Sequence, residues 1–402
     1  MTQLTAKMGG QAWTGVILAG GLGTRLFPLT QDIPKPLVQV ANKAMLDYAI
    51  DHLRYAGVTE IIIVLKHFAE KIRDHMQSEW YGNPKKLGDL NIQIPEVDSK
   101  DTADALRKVA DLVTQDNIVV SMGDIVTNLP LKRFLDFHLE KKGFATISMK
   151  AIDEPTQYGV VMLDNDSKIH LFLEKPKPQE LYVSSMIDTG GAYRHTNLIN
   201  TGIYAFKKDI LPLLETENVL MDFGKQVFPW LLDNKYDIYG FVENYYWMDV
   251  GQPRPYLWAN WDLLRKYSWP ITPNGQEHDG AWYDEFPKHG PNCKFGKPIG
   301  IGKNVVLGHD VNIDSLSVVG DNVMIDDGSW IERSVIWQNA KIGKNVHVTE
   351  TIICDGATIG DGATLLECVV GPGSVIAPST SRKYESKIVR GQNDDAAPID
   401  AE

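Results

Sequence analysis

Val16-Ile17-Leu18-Ala19-Gly20-Gly21-Leu22-Gly23-Thr24-Arg25-Leu26 passes from an apolar run into a loop with three glycines in four positions, and Pro34-Lys35-Pro36 follows. An apolar run of this length ending in glycines reads as a buried strand that delivers a loop. Glycines let the backbone come close to a phosphate, whose oxygens its N–H groups can then meet. Arg25 and Lys35 add full positive charges. A polyphosphate is the ligand this combination fits, although a structural turn accounts for the glycines alone equally well.

Outward from this loop the chain alternates. Ala44–Ala56 carries apolar residues at helical spacing and ends at Gly57, Ile61–Leu65 is a continuous apolar run of strand length, Ala69–Gln77 is helical again, and Asn117–Ser121 is a further buried strand. Strand–helix alternation of this kind predicts an α/β domain, a mostly parallel sheet covered on both faces. Ligands of such sheets bind beyond the carboxyl ends of the strands, where the glycine loop falls. The pattern extends from residue 13 to 267. Residues 268–298 are rich in Pro, Gly and aromatics without periodicity and read as a packed linker. From Ile299 the chain can be written in sixes (IGIGKN, VVLGHD, VNIDSL, SVVGDN), and Ser334-Val-Ile-Trp, Thr351-Ile-Ile-Cys and Cys368-Val-Val-Gly recur 17 residues apart. An aliphatic residue every six predicts three short strands per turn of a triangular solenoid over 299–380, with four coils and part of a fifth. Residues 1–12 read as a flexible leader and 381–402 as a tail.

The chain has 402 residues, a net charge of −12 and three cysteines, Cys293, Cys354 and Cys368. An acidic balance argues against broad nucleic-acid binding, which depends on cationic surface. Three scattered cysteines argue against a disulfide framework or a zinc site, so a cytoplasmic location is expected. No apolar run reaches the roughly 20 residues of a membrane span, so no membrane partner is expected.

Two aspartates follow apolar runs: Asp124 after Ile118-Val-Val-Ser-Met-Gly, and Asp249 in Tyr246-Trp-Met-Asp-Val-Gly. A carboxylate at a strand end can reach a ligand crevice, and Mg²⁺ is usually held by one or two carboxylates plus phosphate oxygens. Turn formation explains such aspartates just as readily. Lys175 in Phe172-Leu-Glu-Lys-Pro, Asn200-Thr-Gly-Ile-Tyr and Tyr158-Gly-Val-Val are ordinary when taken singly.

Together these segments resemble the sugar-1-phosphate nucleotidyltransferases. The resemblance rests on Leu18 to Thr30, Pro34-Lys-Pro-Leu, Gly123-Asp124, Tyr158-Gly-Val-Val, Glu174-Lys-Pro, Asn200-Thr-Gly-Ile-Tyr and Trp247-Met-Asp-Val-Gly, in the family's order. With the hexapeptide tail, and with Asp222-Phe-Gly-Lys-Gln-Val-Phe-Pro, it is nearest the mannose-1-phosphate guanylyltransferase branch. It implies a Rossmann-like mixed sheet followed by a left-handed β-helix. It also implies the reaction NTP plus sugar 1-phosphate to NDP-sugar plus pyrophosphate, with Mg²⁺. In that scheme Leu18, Ala19, Gly20, Gly21, Gly23, Thr24, Arg25, Thr102, Ala103 and Gly123 contact the nucleotide. Arg25 neutralises the departing pyrophosphate and Lys35 the α-phosphate. Asp124 and Asp249 hold the metal, and Lys175 binds the sugar phosphate. Tyr158, Gly159, Glu174, Asn200 and Thr201 contact the sugar.

The chain departs from the family pattern in two places. Lys100-Asp101-Thr102-Ala103 carries Asp101 where the base-recognition loop usually has glycine, which leaves the base open: GTP with mannose 1-phosphate, or UTP or dTTP with glucose 1-phosphate. Residues 183–196 lengthen the segment before Asn200 and read either as a flap over the sugar site or as an exposed loop. A non-catalytic NDP-sugar-binding homologue is disfavoured by the presence of Arg25, Lys35 and both aspartates. An acyltransferase on the solenoid needs a histidine base; His309 and His347 are the candidates, both at outward positions. The solenoid is expected to mediate homo-oligomer assembly.

Overall fold

A computed structural model describes residues 12–180, 197–217, 219–383 and 387–389. The 183–196 segment, nearly all of the leader and most of the tail lie outside the described residues. The chain divides into two units. One comprises the residues through Gly20, Ala49–Gly123 and Leu129–Tyr245; the other comprises Gly21–Tyr48, Asp124–Asn128 and everything from Tyr246.

The first unit is built on a nine-stranded sheet. Its order is Ile169–Glu174, Gly159–Leu163, Leu198–Lys207, Asn117–Met122, Trp13–Leu18, Glu60–Val64, Asn91–Gln93, with Ala145–Ala151 pairing to Leu198–Lys207 and Ile238–Val242 pairing to Ala145–Ala151. The last four strands of that path are parallel. Val16, Ile17, Ile61 to Ile63 and Ile118 to Val120 are all buried, as expected for parallel strands covered on both faces. Leu198–Lys207 pairs antiparallel with each of its neighbours, and Ile169–Glu174 pairs antiparallel with Gly159–Leu163, whereas Ile238–Val242 pairs parallel with Ala145–Ala151. The sheet is therefore mixed, and the mostly parallel sheet read from the alternation holds for its first strands and for the Ile238–Val242 pairing but not around Leu198–Lys207. Alternation reports covered faces, which mixed and parallel sheets share.

In the second unit the chain winds as a left-handed β-helix. Each coil contributes one strand to each of three sheets, two of six strands and one of eight, parallel throughout except for the edge strand Gln276–His278, which pairs antiparallel with Ala281–Tyr283. Ile301, Leu307, Ile313, Val319, Ile325 and Ile331 fill the interior at six-residue intervals. The first coils pair at 18 residues (Trp282 with Gly300, Gly300 with Val318), and later ones at 17 (Val318 with Val335, Val335 with Ile352). One corner is thus a residue shorter in the later coils, which is why sixes and a period of 17 coexist. Residues 281–295, within the stretch expected as a linker, supply the first strand of each sheet's coil stack. The stack is accordingly longer than four coils and part of a fifth. Its early turns are Pro- and aromatic-rich and hide the hexad. His309 and His347 are both exposed.

The glycine-loop segment belongs to this second unit and shares a core with the coils. Leu26, Leu29, Val38, Tyr256 and Leu263 pack in one cluster with Val318, Val335, Trp337 and Ile352. The Tyr256 hydroxyl donates to the Gln39 carbonyl (2.7 Å) and accepts from Trp337 Nε1 (2.8 Å). Asn42 Nδ2 donates to the Val319 carbonyl at 2.9 Å.

Candidate active site

A two-stranded antiparallel ribbon organises the charged cluster of the second unit. Ile125–Thr127 pairs with Trp247–Asp249, and Asp249 lies opposite Ile125. Asp124 immediately precedes Ile125, so the register brings both aspartates to one end of the ribbon. Between them comes Lys35, from a single 3₁₀ turn, Lys35–Leu37, with Pro34 before it and Pro36 within it. Lys35 Nζ is 2.6 Å from Asp124 Oδ2 and 3.5 Å from Asp249 Oδ1. The lysine side chain is 8% exposed, against 32% for Asp124 and 25% for Asp249. Burial alone would lower the lysine pKa. The Asp124 and Asp249 carboxylates outweigh it, against an opposing contribution from Arg25, and the group is held above its ordinary value.

The glycine loop shapes this cluster by close approach. Gly23 is left-handed (φ 66°), and a Cβ there would lie 2.9 Å from Lys35 Cβ and 3.0 Å from Thr30 Cγ2. Its carbonyl accepts from the Thr30 hydroxyl at 2.9 Å. Thr24–Leu26 forms the 3₁₀ turn that follows and carries Arg25. A Cβ at Gly251 would lie 3.4 Å from both Arg25 Nη2 and Asp249 Oδ1. A Cβ at Gly251 would thus be in ordinary contact with both groups, which places Arg25 and Asp249 side by side. Gly21 has open space where its side chain would be. Arg25, Lys35, Asp124 and Asp249 are thus gathered by the fold, with Gly23 and Thr24 beside them.

The remaining predicted residues lie in the first unit. Leu18 ends its central strand, its carbonyl accepts from Gly123 N (3.0 Å), and Ala19 N donates to the Val64 carbonyl (3.0 Å). A Cβ at Gly20 would meet Lys66 Cβ at 3.0 Å. Gly159 pairs with Glu174, and a Cβ at Gly159 would come within 2.9 Å of Glu174 Oε2. Lys175 is exposed and left-handed (φ 46°), its N–H bonded to the Tyr158 carbonyl at 3.1 Å. Tyr158, Gly159, Glu174 and Lys175 therefore form one corner. Asn200 begins an irregular stretch of its strand; its Oδ1 accepts from Gly202 N and its Nδ2 donates to the Tyr204 hydroxyl, both at 2.9 Å. Thr201 is 1% exposed, and its hydroxyl is engaged with the Ser148 carbonyl and the Tyr245 hydroxyl at 3.0 Å. Its side chain is therefore turned into the protein.

Thr102 and Ala103 open the helix Thr102–Lys108, which Asp101 caps by accepting from Thr102 N at 3.0 Å. That cap accounts for the departure from glycine: an aspartate at an N-cap satisfies an orphan N–H. The Thr102 hydroxyl donates to Asp222 Oδ2 (3.0 Å) and accepts from Phe223 N (3.1 Å). Burial, then the Asp222 charge, raises the Asp101 carboxyl above its ordinary value. Burial followed by Asp222 does the same for Glu174, with Lys175 and Lys225 opposing. The acidic trio Asp101, Asp222 and Glu174 went unrecognised in the sequence because its members are far apart in the chain. The Asp222-Phe-Gly-Lys motif was the available signal.

Among the described residues no group of three or more His, Cys, Asp or Glu side chains gathers as a metal cage. Asp124 and Asp249 do provide two partly exposed carboxylates facing one ammonium. That donor set fits a hard divalent ion, which takes one or two protein carboxylates and completes its shell with water and phosphate oxygens.

Residues 14–266 match the family model for nucleotidyl transferases, and residues 284–381 match that for the LbH domain of the EIF2B epsilon subunit. The chain is 30% identical over 341 residues to a mannose-1-phosphate guanyltransferase of Pichia angusta, covering 82% of this chain and 87% of that one. Mannose-1-phosphate guanylyltransferase 1 of Arabidopsis thaliana is 30% identical over 337 residues, with the same coverage. The Saccharomyces cerevisiae mannose-1-phosphate guanyltransferase is 34% identical over 248 residues, covering 60% of this chain and 62% of that one. No described helix is long and apolar enough to cross a membrane. A glycine loop that closes on a buried lysine, two aspartates on one ribbon and a domain-length match lead to one assignment: the chain is an enzyme of the nucleotidyl transferase family.

Proposed function

We propose that this enzyme joins a nucleotide to a sugar 1-phosphate, with GTP and mannose 1-phosphate as its substrates and Mg²⁺ as its ion. The observation that carries the reading is the Lys35–Asp124–Asp249 cluster beside the glycine loop; the names of the relatives supply the substrate pair. A sugar-phosphate oxygen attacks the α-phosphorus, the bond from that phosphorus to the bridging oxygen of the β-phosphate breaks, and pyrophosphate leaves with the electron pair. The nucleophile is already an anion, so no general base is required. The obstacle is repulsion between anions, which placed cations and in-line positioning overcome. Lys35, held charged by its two aspartates, acts at the α-phosphate, and Arg25 at the departing pyrophosphate. Gly20, Gly21, Gly23 and Thr24 line the triphosphate with backbone N–H groups. Asp124 and Asp249 would hold the Mg²⁺, which supplies further charge neutralisation. Lys175 binds the sugar phosphate, while Tyr158, Gly159, Glu174 and Asn200 meet sugar hydroxyls, and Thr102 and Ala103 adjoin the base. Copies of the chain associate through the β-helix, and the enzyme works in the cytoplasm.

A pyrophosphate-release screen tests the substrate reading, using four ribonucleotides and dTTP against mannose and glucose 1-phosphates. Fastest turnover with GTP and mannose 1-phosphate is expected. Preference for UTP or dTTP with glucose 1-phosphate would refute the proposed pair, and absence of release with every pair would refute the reaction.

A further inference from the structure

The ribbon that brings Asp124 and Asp249 together has three residue pairs: Thr127 with Trp247, Val126 with Met248 and Ile125 with Asp249. A lone two-stranded pairing is marginally stable at best in water. A slip by one residue would displace one strand by about 3.3 Å and turn its side chains to the opposite face. Asp249 would then leave Asp124, and Lys35, 2.6 Å from one and 3.5 Å from the other, would lose one of its two partners. The charged cluster therefore depends on a register that three pairs hold poorly by themselves.

Asn128 extends that register by one rung. It follows Thr127, and Tyr246 precedes Trp247, so the two residues stand directly opposite. Asn128 N donates to the Tyr246 carbonyl at 3.2 Å. Tyr246 N donates back to Asn128 Oδ1 at 2.6 Å. In a regular antiparallel ladder the second bond of such a pair goes to a main-chain carbonyl; here the side-chain amide receives it. The rung closes although the strand ends at Thr127, and the chain is free to turn at Leu129-Pro130. Two further bonds secure it. The Thr127 hydroxyl donates to the same Tyr246 carbonyl at 2.7 Å, and Asn128 Nδ2 donates to the Trp269 carbonyl at 2.8 Å. Trp269 lies in a turn closed by Ile271 N on the Ser268 carbonyl at 2.8 Å. The rung is thus rooted in the chain that follows the helix Pro253–Leu264.

We propose that Asn128 is a positioning residue for the ion: by closing the 128–246 rung it fixes the ribbon register, and with it the separation of the Asp124 and Asp249 carboxylates. This rests on the reading of those aspartates as holders of Mg²⁺. Asn128 is three residues along the ribbon from Ile125, about 10 Å at the usual rise, so it acts through the pairing and not on the ion. Mg²⁺ demands a near-ideal octahedron, whereas Ca²⁺ accepts irregular shells. A loosened register therefore costs Mg²⁺ more than Ca²⁺, which a general loss of stability does not do.

Metal binding is measured on the full-length chain without nucleotide, Mn²⁺ by electron paramagnetic resonance and Mg²⁺ and Ca²⁺ by displacement of Mn²⁺. Asn128→Ala should weaken Mg²⁺ about tenfold, as the fraction of chains in register falls, and Ca²⁺ by less than about threefold. Asn128→Asp keeps the acceptor for Tyr246 N. Its added charge draws both ions alike, so the wild-type ratio of Mg²⁺ to Ca²⁺ affinity should be kept. By linkage the ion favours the register in turn, so Mg²⁺ should slow hydrogen exchange at the Tyr246 amide of the unaltered chain. That measurement needs no variant and decides the matter if Asn128→Ala does not fold. An unchanged ion ratio in a folded Asn128→Ala, a ratio lost in Asn128→Asp, or Tyr246 exchange indifferent to Mg²⁺ would each overturn the proposal. Asp124→Asn separates the two readings. If it binds Mn²⁺ as wild type does, the metal assignment fails; if it abolishes Mn²⁺ binding while Asn128→Ala changes nothing, only the role of Asn128 fails.

Discussion

Replacing Lys35 with methionine should lower turnover and tighten metal binding at once. The Lys35 ammonium is 2.6 Å from Asp124 and 3.5 Å from Asp249. At an effective dielectric of about 20 these separations correspond to about 6 and about 5 kcal/mol of Coulomb attraction, before desolvation of the buried ammonium is subtracted. Burial is the largest single influence on Lys35 and opposes its charge, so the net value is far smaller. A charge-assisted hydrogen bond to a carboxylate contributes about 1.5–3 kcal/mol net. A divalent ion arriving at Asp124 and Asp249 has to loosen this contact. With methionine it does not, and about tenfold or greater tightening is expected in Mn²⁺ affinity without nucleotide, read by electron paramagnetic resonance. Methionine keeps an apolar stem near Gly23, so the loop should persist; circular dichroism melts verify this. Turnover should fall on the order of 10²–10³-fold, the usual effect of removing one transition-state cation or donor. A folded Lys35→Met protein that binds Mn²⁺ no more tightly than wild type would refute the idea that Lys35 shares these carboxylates with the ion. The sign of the pH effect follows from the raised pKa. The stabilisation from Lys35 is complete below the ordinary lysine value of 10.5 and fades only as pH rises through the higher folded value. An alkaline loss of activity centred near neutrality would belong to another group.

Asp124→Asn should abolish metal-dependent turnover while leaving the fold intact; retained activity in Mg²⁺ would remove Asp124 from the metal site. Lys175→Ala should raise the KM for sugar 1-phosphate more than that for nucleotide, and a defect confined to the nucleotide would contradict its assignment. Arg254→Ala should cost about 1 kcal/mol in chemical denaturation, since its two ion pairs with Glu350 and Glu367 are partly exposed and each contributes a few tenths to 1 kcal/mol. It should also raise the metal concentration needed for half-maximal rate, and a change in stability alone would make the contact merely structural. His138, with a folded pKa of about 4 against an ordinary 6.5, binds fewer protons folded than unfolded between those values. Stability should therefore fall as pH drops from 6.5 to 4, by roughly 3 kcal/mol at full development. His138→Gln should flatten that slope, and an unchanged slope would assign it to carboxylates.

Elements that satisfy a local rule were readable in the sequence. Ile61 to Ile63 and Ile118 to Val120 are covered on both faces, and a continuous aliphatic run records that condition directly. Met45–Tyr55 is a helix within one residue of the expected boundaries because apolar spacing and Gly57 both mark it. The antiparallel half of the sheet was less legible, since pairing direction leaves no mark on a buried strand's composition. In the site, Arg25, Lys35, Asp124 and Asp249 were named from their motifs, but that Lys35 bridges the two aspartates depends on a ribbon register between residues 125 and 249. Thr201 was named because it follows Asn200; consecutive strand residues point to opposite faces, and its hydroxyl is spent on Ser148 and Tyr245.

The least legible feature was the support beneath the site. Arg254 lies five residues after Asp249, at the start of the helix Pro253–Leu264. Its two terminal nitrogens reach Glu350 (2.8 Å) and Glu367 (2.9 Å). Those glutamates are 17 residues apart, the coil period, and both are left-handed (φ 46° and 53°) at equivalent corners. A period written in sequence becomes a stack in space. Two outward carboxylates one coil apart form a column, and like charges in a column require a cation between them. One guanidinium, with a nitrogen for each, supplies it. The helix that bears Arg254 also places Tyr256 on Gln39 and Trp337, so the coils hold both the strand carrying Asp249 and the segment carrying Lys35. Cutting the chain after Tyr267 would strip cover from Tyr256, Leu263 and Leu264, which are buried in that shared cluster. An unstable remnant is therefore expected from such a truncation, and loss of activity in it would say nothing about assembly. Exposed positions on the coils, such as Trp330, are the proper targets, because substituting them leaves the support of Lys35 and Asp249 in place.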